Sequence, residues 1–395
     1  MDTSVFRTEA DAMYDELVRI RRDFHQHPEL AFQEIRTASI VAQQLSDLGM
    51  EVQTGVGKTG VVAILEGAHD GPTVLVRADM DALPITEANK IDYISGTSGK
   101  MHACGHDGHT AIALGVAKIF AQQRDNIAGR IKFVFQPAEE IAQGAEAMVA
   151  DGVLRDPVPD VTLGLHLWNT LPVGKIGVAD GPVMAGASDF TIHITGKGGH
   201  GASPHQTIDP VLCAAHIVTA LQSIVSRNVD PLDTAVVSVT QIHTGTTHNV
   251  IPSEAMLNGT IRTFREETRQ MIDKRLHTLV EGIANAMGCT TTIRTGDQTE
   301  PVINNAEVAR RVRNSFLKMG IAEDDFVDER TMGAEDVGVL MKDIPGMYFF
   351  VGSGNTERGL DYPHHHPQFD FDEAVLPLAV ALLASAVADY VIPER

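Results

Sequence analysis

The sequence predicts a two-domain α/β protein in which a second domain is inserted into the first, and three observations predict it. The chain has 395 residues and 43% hydrophobic content, more than one core usually supports. Short, almost continuously apolar runs at 60–65, 73–77, 130–135, 161–165 and 346–351 alternate with helical periodicity, as in strands covered on both faces. Between the fourth and fifth runs the pattern changes to strict alternation, with Phe190, Ile192 and Ile194 sharing one face.

The elements follow in order. Residues 10–50 carry helical periodicity, broken at HPEL (27–30) by Pro28. GVVAIL, TVLVR, RIKFVF and VTLGL then read as strands, with a helix at 110–123 intervening, which is an α/β layer architecture. The alternating strand that contains Phe190 is followed by helix 209–226, strand 234–242, strand 255–264, helix 267–287 and strand 289–295. That βαββαβ series matches a ferredoxin-like unit with a half-solvated sheet. After Gly296 the first style resumes, with a helix at 306–319, the strand GMYFFV and a terminal helix begun at Asp372 and Glu373. Its apolar run at 374–388 contains Pro377 and is shorter than the roughly 20 residues a membrane span needs. The expected domains are 1–182 plus 298–395, and an inserted 183–297.

A net charge of −21, spread along the chain, disfavours nucleic acid and anionic membranes as partners. The N-terminus begins with acids and lacks a basic segment followed by an apolar core, so no secretory signal is expected and the cytoplasm is the expected location. The three cysteines, Cys104, Cys213 and Cys289, are too few and scattered for a disulfide framework. A free thiol ligand also fits a reducing compartment.

HACGHD at 102–107 and QPAEE at 136–140 concentrate a thiol, imidazoles and two adjacent carboxylates at the mouths of successive elements. Thiolate and imidazole suit a borderline-soft divalent metal, and a neighbouring unbound carboxylate can take a proton from water. Cys104 and His106 can aim at one point if their segment is an irregular loop, whereas a helix would splay them; Gly105 permits the tight path. The plainer alternative makes Cys104 a small buried hydrophobe. Glu139 and Glu140 follow an apolar strand and Pro137, where open α/β sheets place active-site loops. His166 ends another apolar strand, and His364, His365 and His366 precede Pro367 in a turn-rich segment. Asp79 and Asp81 follow TVLVR on one face, so one carboxylate can hydrogen-bond a ligating imidazole or both can simply form a turn. In the alternating domain, His200 lies in a glycine-rich turn, Asn249 in HNVIP, and Arg262 mid-strand, where it binds a carboxylate or pairs with a local acid.

Together these segments resemble the M20 metallopeptidase clan, specifically its amidohydrolase branch of hippurate hydrolases, N-acyl-amino-acid amidohydrolases and auxin-conjugate hydrolases. The resemblance runs nearly end to end, through RRDFHQHPEL, RADMDALPI, HACGHDGHTA, QPAEE, GLHLWN, GGHGASPH, HNVIP, GAEDVG and HHHPQFDFDE. It implies a catalytic domain of the zinc-exopeptidase type with an inserted lid and dimerisation domain, assembling as a homodimer or homotetramer. It also implies two divalent metal ions per subunit, zinc, manganese, nickel or cobalt, held by Cys104, His106, Glu140, His166 and His365. His365 is singled out by the family's His-any-Pro pattern. Glu139 matches the catalytic base and acid, His200 an oxyanion-stabilising histidine, Asn249 and Arg262 positions that hold the substrate carboxylate, and Asp81 a residue behind the ligands. Other branches carry His-any-Asp where this chain has Asp79-Met80-Asp81, which leaves the role of Asp81 less defined. The implied activity is hydrolysis of the amide bond of N-acyl amino acids. A dipeptidase or carboxypeptidase of the same clan, or a non-catalytic binder of acyl-amino acids or peptides, are the alternatives.

Overall fold

The computed structural model describes residues 4–393 and forms two compact units. The first comprises the chain up to Val183, Ile303–Arg330 and the chain from Asp336; the second comprises Met184–Val302 and Thr331–Glu335. The last strand of the second unit runs on to Thr299, so residues 298–302, expected in the first domain, cluster with the second.

The first unit opens with helices α1 (Ser4–Ala12), α2 (Tyr14–Gln26) and α3 (Ile35–Asp47). In α2, Leu17, Ile20 and Phe24 form the buried stripe expected of helical spacing. The helix stops before Pro28, whose ring disfavours α geometry at His27. Strands β1 (Glu51–Val56), β2 (Gly60–Glu66) and β3 (His69–Asp79) follow, then α4 (His106–Gln122), β4 (Ala128–Gln136) and β5 (Val161–Pro172). β3 lies between β4 and β5, parallel to both, while β2 pairs antiparallel with β4 and with β1 at the edge.

The second unit contains β6 (Gly186–Thr195), α5 (Pro210–Arg227), β7 (Ala235–Thr244), β8 (Glu254–Thr263), α6 (Glu266–Ala286) and β9 (Thr290–Thr299). Its sheet order is β7-β8-β6-β9 with every pair antiparallel, the ferredoxin-like arrangement. Phe190, Ile192 and Ile194 bury one face against Ile217 and Leu221 of α5 and Ile272 and Leu276 of α6. Asp209 caps α5 by accepting the N–H groups of Val211 and Leu212, with Pro210 at the first helical position.

The chain then returns to the first unit as α7 (Ala306–Lys318), β10 (Gly346–Gly354) and α8 (Val375–Val391). β10 pairs parallel with β5, and all nine of its residues are buried, as a central parallel strand requires. The apolar α8 is a core helix, packed on α1, α4 and α7.

A buried ion cluster ties the start of this unit to its end. Arg21, with no exposed side-chain surface, donates to Asp107 (2.8 Å), Asp370 (2.7 Å) and Glu373 (3.1 Å). His25 bonds Asp107 at 2.8 Å and Glu87 at 3.2 Å, and Tyr93 donates to Asp370 at 2.7 Å. Burial alone would raise the Asp107 pKa, but Arg21 and His25 hold it far below the usual carboxylate range. Removing one partner of such a cluster strands the rest. Arg21→Met should therefore lower the unfolding free energy by about 3–5 kcal/mol, read from urea denaturation; a loss under about 1 kcal/mol would show that the cluster does not hold the unit together.

Candidate metal centre

Parallel strands deliver the chemistry-bearing residues to one edge of the sheet. β3 ends at Asp79 and leads to Asp81, β4 ends at Gln136 and leads to Glu139 and Glu140, and β5 carries His166. Asp79 and Gln136 are carboxyl ends, where open α/β sheets bind ligands, whereas His166 is mid-strand, because β5 runs on to Pro172 rather than stopping at the expected end near 165.

Cys104 lies just before α4, and His106 is the first residue of that helix. The helix starts at 106 rather than the expected 110, so Cys104 lies in an irregular segment and His106 in the helix. Gly105, at φ 88°, turns the chain between them, and the two side chains converge despite the helix.

The hydrogen bonds fix which ring nitrogens are available. His106 Nδ1 donates to the Asp81 carbonyl at 2.9 Å, while its Nε2 is buried with no hydrogen-bond partner. His166 Nδ1 donates to the Leu167 carbonyl at 2.6 Å, leaving Nε2 3.6 Å from the Cys104 sulfur. Each committed Nδ1 leaves Nε2 as the atom that can bind a cation. Glu140 places Oε2 3.3 Å from His365 Nε2, and its Oε1 is buried without a hydrogen-bond partner. Buried Glu139 has Oε2 3.9 Å from His106 Nε2.

Donor atoms of Cys104, His106 and His166 lie within 4.8 Å of one another, and so do those of Cys104, Glu140 and His365. Cys104 is common to both groups. Clustered thiol, imidazole and carboxylate donors, with His106 Nε2 and Glu140 Oε1 buried and without a hydrogen-bond partner, suit a divalent cation of the zinc type. Burial, the largest single effect, would depress His106, but Asp79, Asp81 and Cys104 together outweigh it and raise the pKa well above the ordinary value. Bonds to Cys104 and Glu140 push His365 up to about 10. Burial lowers His166 well below its usual range, which favours the neutral ring, the form that can bind a cation.

Other histidines nearby are already engaged. His109 Nδ1 bonds Asp79 at 2.6 Å, and its Nε2 accepts the Leu167 N–H at 2.9 Å. His364 bonds the Leu167 carbonyl at 3.0 Å and stacks on Trp168, with ring centroids 4.6 Å apart. His366 accepts the Gln368 N–H and stacks on Tyr362. Of the three consecutive histidines, only His365 faces Cys104 and Glu140, turned by its positive φ of 66° and anchored by its N–H on the Ala103 carbonyl at 2.7 Å.

Asp81 stands behind His106, mainly through its main chain. The His106 imidazole donates to the Asp81 main-chain carbonyl, with the carboxylate 3.5 Å away. The carboxylate instead accepts the N–H groups of Glu139 and Glu140, both at 3.0 Å, and so holds the acidic pair. Sequence reasoning missed Glu34, His109 and Asp336, which support the same loops. Their partners are distant in sequence, and no local spacing marks them.

His200, Asn249 and Arg262 belong to the second unit. His200 pairs with Val250 in a short ribbon, and its Nδ1 accepts the Ala202 N–H at 3.0 Å, which leaves Nε2 as the donor. The Asn249 carbonyl accepts the Gly201 N–H at 2.8 Å. Arg262, half-buried on β8, bonds Thr260 at 3.2 Å and pairs with no acid among the described residues. Burial lowers its pKa.

Residues 75–389 match Peptidase family M20/M25/M40. The chain belongs to that family. This M20 hydrolase is 50% identical to an N-acyl-L-amino acid amidohydrolase of Geobacillus stearothermophilus over 75% of the chain and 80% of that protein. It is 40% identical to an N-acetylcysteine deacetylase of Bacillus subtilis, covering 93% and 95% of the two chains. Its fold matches the Bacillus subtilis YXEP protein, described as a dinuclear metal-binding peptidase of the M20 family, with TM-score 0.83 and 36% identity over 95% and 98% of the chains.

The donor geometry of this M20 hydrolase makes metal content the direct test. Cys104→Ala and His166→Ala should each lower the metal-to-protein ratio measured by plasma emission after dialysis. An unchanged ratio in either variant would remove that residue from the ligand set.

Proposed function

We propose that this chain hydrolyses the amide bond of N-acyl amino acids in the cytoplasm, using two divalent ions per subunit. One set of ligands is Cys104, His106 and His166, and the other is Cys104, Glu140 and His365. The observation that carries the reading is the shared Cys104 donor between two ligand groups, with Glu139 buried beside both Glu140 and His106. Zinc, manganese, nickel and cobalt all suit this mixed donor set. When bound, the ions supply Lewis acidity that polarises a carbonyl and lowers the pKa of water.

Glu139 takes a proton from the attacking water and returns it to the leaving amine nitrogen. Its backbone, held by Asp81, keeps the carboxylate oriented through both transfers. His200 donates from Nε2 to the oxyanion that forms at the carbonyl, in keeping with its Nδ1 being an acceptor. Arg262 and Asn249 bind the free carboxylate of the amino-acid half; a half-buried guanidinium lacking an acidic partner supports that role. The second unit serves as lid and as the surface for homodimer or homotetramer formation, and exposed Val211 and Leu212 on α5 supply apolar area for it.

Glu139→Gln should cut kcat by about 10²- to 10⁴-fold while metal content and melting temperature stay at wild-type values. Turnover within about threefold of wild type would end the assignment of Glu139. A mass-detected screen of hippurate and acetyl-amino acids beside dipeptides, with each metal supplied in turn, tests the substrate class; exclusive dipeptide cleavage would replace it with a peptidase reading.

A further inference from the structure

The loop that carries Glu139 and Glu140 is held by carboxylates along its backbone. Asp81 takes the N–H groups of Glu139 and Glu140, and Asp336 takes that of Ala145 at 3.0 Å. The residue that starts the turn, Ala138, sits in the left-handed region at φ 53°, a conformation that costs a non-glycine residue about 1 kcal/mol or more. Its N–H is accepted at 2.9 Å by Glu34, a residue with no exposed surface. The same Glu34 oxygen accepts the Phe32 N–H at 3.0 Å, and the other oxygen accepts the Thr59 hydroxyl at 2.5 Å. The loop has little room to adjust: a Cβ at Gly144 would lie 1.5 Å from the Pro137 carbonyl oxygen. With Pro137 fixed in φ before it, Ala138 is the pivot that aims the acidic pair.

We infer that Glu34 is a positioning residue for the reaction: by accepting the Ala138 N–H it locks the left-handed pivot that directs the Glu139 carboxylate. This rests on the role proposed for Glu139 above. Glu34 touches none of the proposed metal ligands, and its three bonds go to Phe32, Thr59 and Ala138. Its effect therefore passes through the backbone of the loop. A carboxylate is the stronger acceptor for this purpose, because a charged acceptor makes hydrogen bonds roughly twice as strong as a neutral one. An error of about 1 Å in the aim of a proton-carrying group can cost about 10²-fold in rate.

The test compares wild type, Glu34→Gln and Glu34→Ala, all metal-loaded, by hydrogen exchange of the peptide covering 136–143 and by steady-state kinetics. Glu34→Ala should exchange this loop about tenfold faster or more and lower kcat by about 10- to 100-fold, with KM within about threefold and metal content unchanged. Glu34→Gln, which keeps an acceptor but not the charge, should fall between wild type and Glu34→Ala in both readouts. Wild-type protection of the loop in both variants would overturn the inference. So would a Glu34→Ala protein that only melts earlier while kcat and loop exchange hold. If Glu34→Ala does not fold, Glu34→Gln decides alone, since unchanged loop exchange and unchanged kcat in that variant would overturn it. If no N-acyl amino acid is turned over even by wild type, the proposed activity fails, and the exchange measurement still decides whether Glu34 holds the loop.

Discussion

Three buried carboxylates spend oxygens on the backbone around Glu139 and Glu140, and the site depends on their holding that acidic pair in place. Glu34 and Asp81 accept backbone N–H groups of the loop between β4 and the following helix, and Asp336 accepts that of Ala145 in the first turn of that helix. Those N–H groups would otherwise be orphaned in the interior, at a cost of about 1–3 kcal/mol each. Satisfying them fixes a loop that contains two left-handed alanines, Ala138 and Ala142. On this loop Glu140 keeps Oε1 buried without a hydrogen-bond partner, an arrangement that suits a cation.

The imidazoles divide by the use of their nitrogens. His106 and His166 each give one nitrogen to a main-chain carbonyl and keep the other for the site, whereas His109 spends both, one on Asp79 and one on the Leu167 N–H. Asp79 is in turn bound at 2.7 Å by Arg77, which also reaches Gln136 and Asp336. A chain of buried charge therefore extends from the centre of the sheet to the acidic loop. The Arg21 cluster joins the first turn of α4 to the segment that follows the three histidines.

The architecture was largely legible in the sequence because burial imposes a period on it. Continuous apolar runs marked the parallel strands, and strict alternation marked the second unit, whose one-sided sheet buries every other residue. The start of α4 was not legible: His106, Asp107 and His109 look like loop residues, and burial of all three in the first turn depends on partners from α2, β3 and β5. The reach of β9 past residue 297 was likewise hidden, since its pairing with β6 fixes its length and its own polar residues do not.

For the site, the sequence by itself determined the chemical inventory: a thiol, histidines and paired carboxylates at strand ends, in an order similar to one family. Only the tertiary structure decided which of His364, His365 and His366 faces Cys104, that the Asp81 carboxylate serves the backbone of the acidic pair, and that Glu34 grips Ala138. The physical reason is range. Residue type and period are local properties, while the direction of a lone pair is set by hydrogen-bond partners that are often tens to hundreds of residues away and meet only when the sheet has formed.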